Sequence, residues 1–101
     1  PSPGFAVMGV TNGAVSVAVS HLANELKPIR VNAISPGIID SGTWDEMPVA
    51  DRGAFFDGVA EGNLAGRVGA VDDIVDAAEW LLTAGFVSGE TIHVEGGARS
   101  A

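Results

Sequence analysis

The side chains able to do chemistry are few, and the absences narrow them further. The chain has no cysteine and no tyrosine. Thiol nucleophiles, disulfides, cysteine metal sites and phenolic acid–base catalysis are therefore closed to it. Ser20, His21 and Asp40 supply the residue types of a nucleophilic triad. Ser20 and His21 are adjacent, however, and neighbours on a helix diverge by ~100°, the wrong geometry for a nucleophile and its base. His21 reads as a surface helix position. His93 alternates with Ile92 and Val94 and reads as a hydrogen-bonded structural residue. Two histidines without repeated ligand spacing give no metal site. Asp45-Glu46, Asp72-Asp73 and the Asp76 and Glu79 pair read as solvated faces or as charges suited to helix N-termini. What remains is Pro36-Gly37, a sharp turn closing a β-rich run, and the loop behind it. Such a turn presents free N–H and C=O groups to a ligand, or else it merely ends a strand.

Short elements must position these residues. Asn12-Gly13 before Val15 to Ser20 looks locally like a hairpin turn entering a strand. Ala14, Ala18, Leu22 and Leu26 instead repeat every four residues, and a helix from near Gly9 to Leu26 is the reading adopted, stopped by Lys27-Pro28. Ile29 to Ser35 reads as a strand. A long loop, Ile38 to Pro48, carries Trp44. Pro48 suits the first turn of a following helix, whose buried face would be Phe55, Phe56 and Val59 and which Gly62 ends. Ile74, Ala77, Ala78, Leu81 and Leu82 form a stripe at helical spacing, with Asp72 and Asp73 in the first turn and Gly85 as the stop. Trp80 lies beside that stripe and reads as core or interface. Thr91 to Val94 makes a second strand before Gly96-Gly97. The order helix, strand, helices, strand is an α/β pattern with a βαβ crossover, which implies two parallel strands. Two parallel strands make no stable sheet. Residues 1–101 are thus read as a single partial domain whose missing strands come from elsewhere.

Composition excludes several partners. Five Lys and Arg stand against thirteen Asp and Glu, a net charge of -8, which repels phosphate backbones and anionic lipid. No apolar run is expected to reach the roughly 20 residues that span a bilayer, and no signal sequence opens the chain. The expectation is no nucleic acid, no membrane and a cytoplasmic setting. The chain opens Pro1-Ser2-Pro3 without methionine, as a fragment or processed product would.

Three segments together resemble the short-chain dehydrogenase/reductase family. Leu22 to Gly37, with Asn24-Glu25-Leu26, Ile29-Arg30-Val31-Asn32 and Pro36-Gly37, is similar to that family's fifth helix, sixth strand and turn. Gly66-Arg67-Val68-Gly69 precedes Asp72-Asp73-Ile74 and an apolar helix. Ser88 to Gly97 resembles the last strand, with Glu95 where Asp is more usual. They occur in the family's order and cover nearly all of the chain.

The resemblance implies the C-terminal part of a Rossmann-like doubly wound parallel sheet that binds NAD or NADP. It implies an oxidoreductase acting on a small-molecule alcohol or carbonyl. The family's pyrophosphate-binding glycine turn is not matched, since Gly58, Gly62, Gly66 and Gly69 follow a helix at the wrong spacing. The family's proton-relay tyrosine and its lysine four residues later fall on Met8 and Asn12, which carry no transferable proton and no charge. No catalytic residue is intact, and the chain alone is expected to be inactive. Pro36, Gly37, Ile39 and Ser41 match the family's loop at the nicotinamide carboxamide. Trp44 falls in the substrate loop, as pocket wall or packing anchor. The first helix, apolar over most of its circumference, matches a subunit-contact helix. A homo-oligomer, or pairing with a separate N-terminal portion, follows. A non-catalytic scaffold for oligomerisation or ligand binding is the rival expectation.

Overall fold

The computed structural model describes residues 3–101; Pro1 and Ser2, part of the non-methionine start, lie outside the described residues. Two compact units emerge. One combines the chain up to Ala33 with Leu81–Ile92, and the other combines Ile34–Trp80 with His93–Ala101.

The first unit holds helix α1, Ala6–Glu25. Asn12-Gly13 lies inside it, so the hairpin alternative is excluded. β-branched residues cost a helix only tenths of a kcal/mol each, roughly, so Val15, Val17 and Val19 do not break it. The helix starts three residues before the expected Gly9, because the Gly9 N–H already donates to Phe5 O at 2.8 Å. Its last turn closes through Leu26 N–H to Leu22 O at 2.9 Å, just ahead of Lys27-Pro28. Val19 is buried, whereas Val7 is 82% and Val10 74% exposed. By length and composition alone α1 could cross a membrane. That corrects the expectation that no segment reaches such a length; a helix covered by other protein passes the same test.

Strand β1 is Ala33–Pro36 rather than Ile29–Ser35, and it lies beside β4, Thr91–Val94. Residues 30–32 are held by one backbone bond, Gly89 N–H to Val31 O at 2.7 Å, and by side chains. Val31 N–H donates to Ser88 Oγ at 3.2 Å, Asn32 Nδ2 donates to Val87 O at 3.0 Å, and Asn32 Oδ1 accepts from Glu90 N–H at 3.1 Å. Propensity sees the extended chain but not which partner holds it. Ala33 N–H donates to Glu90 O, and beyond it Gly37 N–H donates to Val94 O. The pairing thus advances in the same direction on both segments, as in a parallel pair. Helix α3 spans Val71–Thr83. Arg30 gathers its C-terminal carbonyls, donating to Leu81 O at 2.8 Å, Leu82 O at 3.0 Å and Ala84 O at 3.1 Å. Leu81 is buried, but Leu82 is 76% exposed, which removes it from the expected stripe. Among the described residues only Val19 and Leu81 are buried.

In the second unit the expected loop after Gly37 contains a strand. β2, Ile39–Asp40, pairs in parallel with β3, Gly69–Ala70, in the register Ile39 to Gly69 and Asp40 to Ala70. Sequence patterning misses a two-residue bridge because only a distant partner defines it. Helix α2, Val49–Gly62, begins one residue later than expected, with Pro48 as its N-cap. Its expected face of Phe55, Phe56 and Val59 is half-buried. Gly96 and Gly97 take φ of 65° and 76°, a region that favours glycine, and lead into a 3-10 turn at Ala98–Ser100.

Candidate functional site

The site grows from the end of β1. Gly37 is the point of closest approach, since a Cβ there would lie 2.8 Å from Glu95 Cα and Cβ. Only glycine lets the two backbones meet so closely. β2 then fixes Ile39, and Ser41 N–H turns back to Ile39 O at 2.9 Å. Gly42, with φ 93°, makes the bend that brings Ser41 Oγ within 3.2 Å of Thr43 Oγ1. The Trp44 indole N–H donates to Ile39 O at 3.2 Å, and its ring lies 4.9 Å from Phe55 of α2. Both contacts lock an aromatic side chain that is otherwise free to rotate.

These residues enclose one cleft of about 340 Å³. Pro36, Gly37, Ile39, Ser41 and Trp44 line it from the loop, together with Thr43, and α3 supplies Val71 and Ile74. All four residues matched to a carboxamide contact, and the substrate-loop tryptophan, therefore share one space. Trp44 is wall and packing anchor at once. Sequence reading missed Thr43, Val71 and Ile74. Val71 and Ile74 stand three apart at the start of a helix, a spacing that marks a shared face but not what it faces. The cleft has apolar walls and one edge of two hydroxyls, each able to donate and accept. A flat heteroaromatic ring bearing a carboxamide fits that donor set.

Met8 and Asn12 lie one turn apart on α1, in the first unit, with Met8 57% exposed. Of the triad types, Ser20 and exposed His21 are also on α1, and Ser20 Oγ donates to Gly89 O at 3.5 Å. Asp40 sits in β2 of the second unit.

A polar cleft in the second unit contains Arg67, Asp73, Asp76 and His93. Arg67 and Asp73 form a two-pronged pair, with both N···O distances 2.8 Å, and Ala70 N–H donates to Asp73 Oδ2 at 2.7 Å. The guanidinium and that N–H hold the Asp73 carboxyl well below the usual carboxylate range, and Asp73 in turn raises Arg67. The pair clips the Gly66–Gly69 segment to the first turn of α3, so Asp73 is a helix N-terminal charge as expected. His93 is exposed and its ring makes no hydrogen bond among the described residues, which corrects the expected bonded histidine. Alternation placed it opposite the half-buried Ile92 and Val94, but pattern alone cannot supply a partner.

Comparison with known proteins adds a family. A family model described as enoyl-(acyl carrier protein) reductase matches residues 1–99. A short-chain dehydrogenase/reductase, ucsE, of Acremonium sp is 30% identical over 97 residues, covering 96% of this chain and 37% of that protein. A small-chain dehydrogenase crystallised with NADPH superposes with a TM-score of 0.88 at 34% identity, covering 96% of this chain and 44% of that one. A gluconate 5-dehydrogenase from Burkholderia cenocepacia J2315, in complex with NADP and tartrate, gives 0.82 at 30% identity, covering 100% and 40%. The chain thus spans about two fifths of the length of these relatives.

Proposed function

The chain belongs to the short-chain dehydrogenase/reductase family, and we propose that it forms the C-terminal part of a nicotinamide-dependent oxidoreductase acting on a small alcohol or carbonyl compound. The observation that carries this reading is the cleft in which Pro36, Gly37, Ile39 and Ser41 meet Trp44. NADPH and NADP in the two related structures support a nicotinamide cofactor. When bound, that cofactor supplies or accepts hydride. Ser41 and Thr43 hold the carboxamide, Gly37 admits the ring by carrying no side chain, and Ile39 and Trp44 exclude water from its faces. Trp44 keeps its place through Ile39 O and Phe55.

Met8 and Asn12 stand where the family keeps a tyrosine and a lysine, and they favour a second reading. A protein that retains the fold but lacks a proton donor serves as a non-catalytic scaffold for ligand binding or oligomerisation. Titration of the natural, full-length protein with NADH and NADPH, followed by fluorescence, separates the two. Saturable binding that weakens about tenfold in Ser41→Ala supports the cofactor cleft. Absence of binding at millimolar cofactor removes it and leaves the scaffold.

A further inference from the structure

The cleft lined by Ser41 and Trp44 has a wall that is fixed from behind. Val71 and Ile74 supply it from the start of α3, and Ile39 supplies it from β2. Ile39 also lines the polar cleft that contains Arg67 and Asp73.

Several bonds converge on the segments that carry this wall. Asp73 uses both carboxylate oxygens on Arg67, at 2.8 Å each, and Oδ2 also accepts from Ala70 N–H at 2.7 Å. That last bond joins the third residue of α3 to the residue just before the helix, as the return half of a capping box does. It holds the turn from which Val71 and Ile74 project. Arg67 is kept in place by Asn63, whose Nδ2 donates to Arg67 O and whose Oδ1 accepts from Gly66 N–H, each at 2.8 Å. Just beyond Arg67 the chain enters β3, which pairs with β2 at Ile39 and Asp40. Gly69 carries no side chain there, and a Cβ would run into the end of Ile39. One forked ion pair therefore ties the helix turn bearing Val71 and Ile74 to the strand that seats Ile39. The side chains of Arg67 and Asp73 are 59% and 29% exposed, and water screens their attraction, so the value of the pair lies in its geometry. A fork fixes orientation as well as distance, which a contact between point charges does not.

We propose that Arg67 and Asp73 are positioning residues for the Trp44 cleft: they set the separation of Ile39 from Val71 and Ile74, and with it the affinity for the flat ring held there. Both lie outside the lining of that cleft, so they act through its wall. The identity of the ring rests on the oxidoreductase reading; the positioning of the wall does not.

Calorimetry on the natural full-length protein compares NADPH and NADH with their ADP-ribose counterparts, which lack only the nicotinamide ring. Arg67→Gln and Asp73→Asn should each weaken the tighter-bound dinucleotide by about fivefold and leave its ADP-ribose counterpart unchanged. The double variant should lose no more than either single one, because both break the same contact. Arg67→Lys, which keeps the charge without the fork, should recover only part of the loss. Acrylamide quenching of Trp44, taken as the difference from Trp44→Phe in each background, should rise in both single variants. Equal loss of both ligands would assign the pair to general stability and overturn the proposal, as would unchanged dinucleotide affinity or additive losses. Should the unaltered protein bind no dinucleotide, the oxidoreductase reading falls by itself and Trp44 decides. Greater quenching in the variants then sustains the positioning role, and unchanged quenching overturns it.

Discussion

On the proposed reading, Met8 and Asn12 stand at the positions of the family's proton relay. A positioned general acid contributes about 10²–10⁴-fold to a rate, so Met8→Tyr with Asn12→Lys in the full-length protein should raise ketone reduction by that order, read as NADPH oxidation. An unchanged rate would mean that more than the proton relay is missing. Asp73 offers a different test at the same scale. Its folded pKa lies below its unfolded value, so its contribution to stability is complete above about pH 4 and fades as acid protonates it toward the folded pKa. Asp73→Asn should lower the urea midpoint at neutral pH, and the gap from the unaltered protein should narrow below about pH 4. A pH-independent gap would assign the loss to packing instead.

Elements here are joined by single residues at their ends. Arg30 satisfies carbonyls at the C-terminus of α3 that have no partner within the helix, and its charge suits that end of the dipole. Arg30→Ala should destabilise by about 2–3 kcal/mol in urea unfolding, with Arg30→Lys recovering only part, because an ammonium cannot fork. Gly37 and Gly69 make a graded pair. A Cβ at Gly37 meets the Glu95 backbone and Cβ, which cannot move aside, whereas one at Gly69 runs chiefly into the flexible end of the Ile39 side chain. Gly37→Ala should cost roughly 1–3 kcal/mol and weaken cofactor binding, and Gly69→Ala should cost less. Equal midpoints for the two variants would contradict the close approach.

The described chain exposes 7114 Å², against roughly 5,300 Å² for a folded monomer of its size. Val7, Val10, Val17 and Phe86 all lie open, Phe86 completely. So much apolar surface calls for cover, by the rest of a longer chain or by another copy. On size-exclusion chromatography the 101 residues alone should associate or elute well above the monomer position. A compact monomer with cooperative thermal unfolding would refute this.

Local pattern determined the element types, the parallel crossover and the Pro36-Gly37 turn, because helical periodicity and turn chemistry are written within a few residues of one another. The three ordered segments likewise determined the family. Tertiary structure alone decided that β1 starts at Ala33 and that β2 finds β3 some thirty residues away. It alone placed Val71 and Ile74 opposite Ser41 and Trp44, exposed Leu82, and left His93 without the expected bond. Each of these depends on a partner distant in sequence, and a propensity or a period carries no information about a partner's identity.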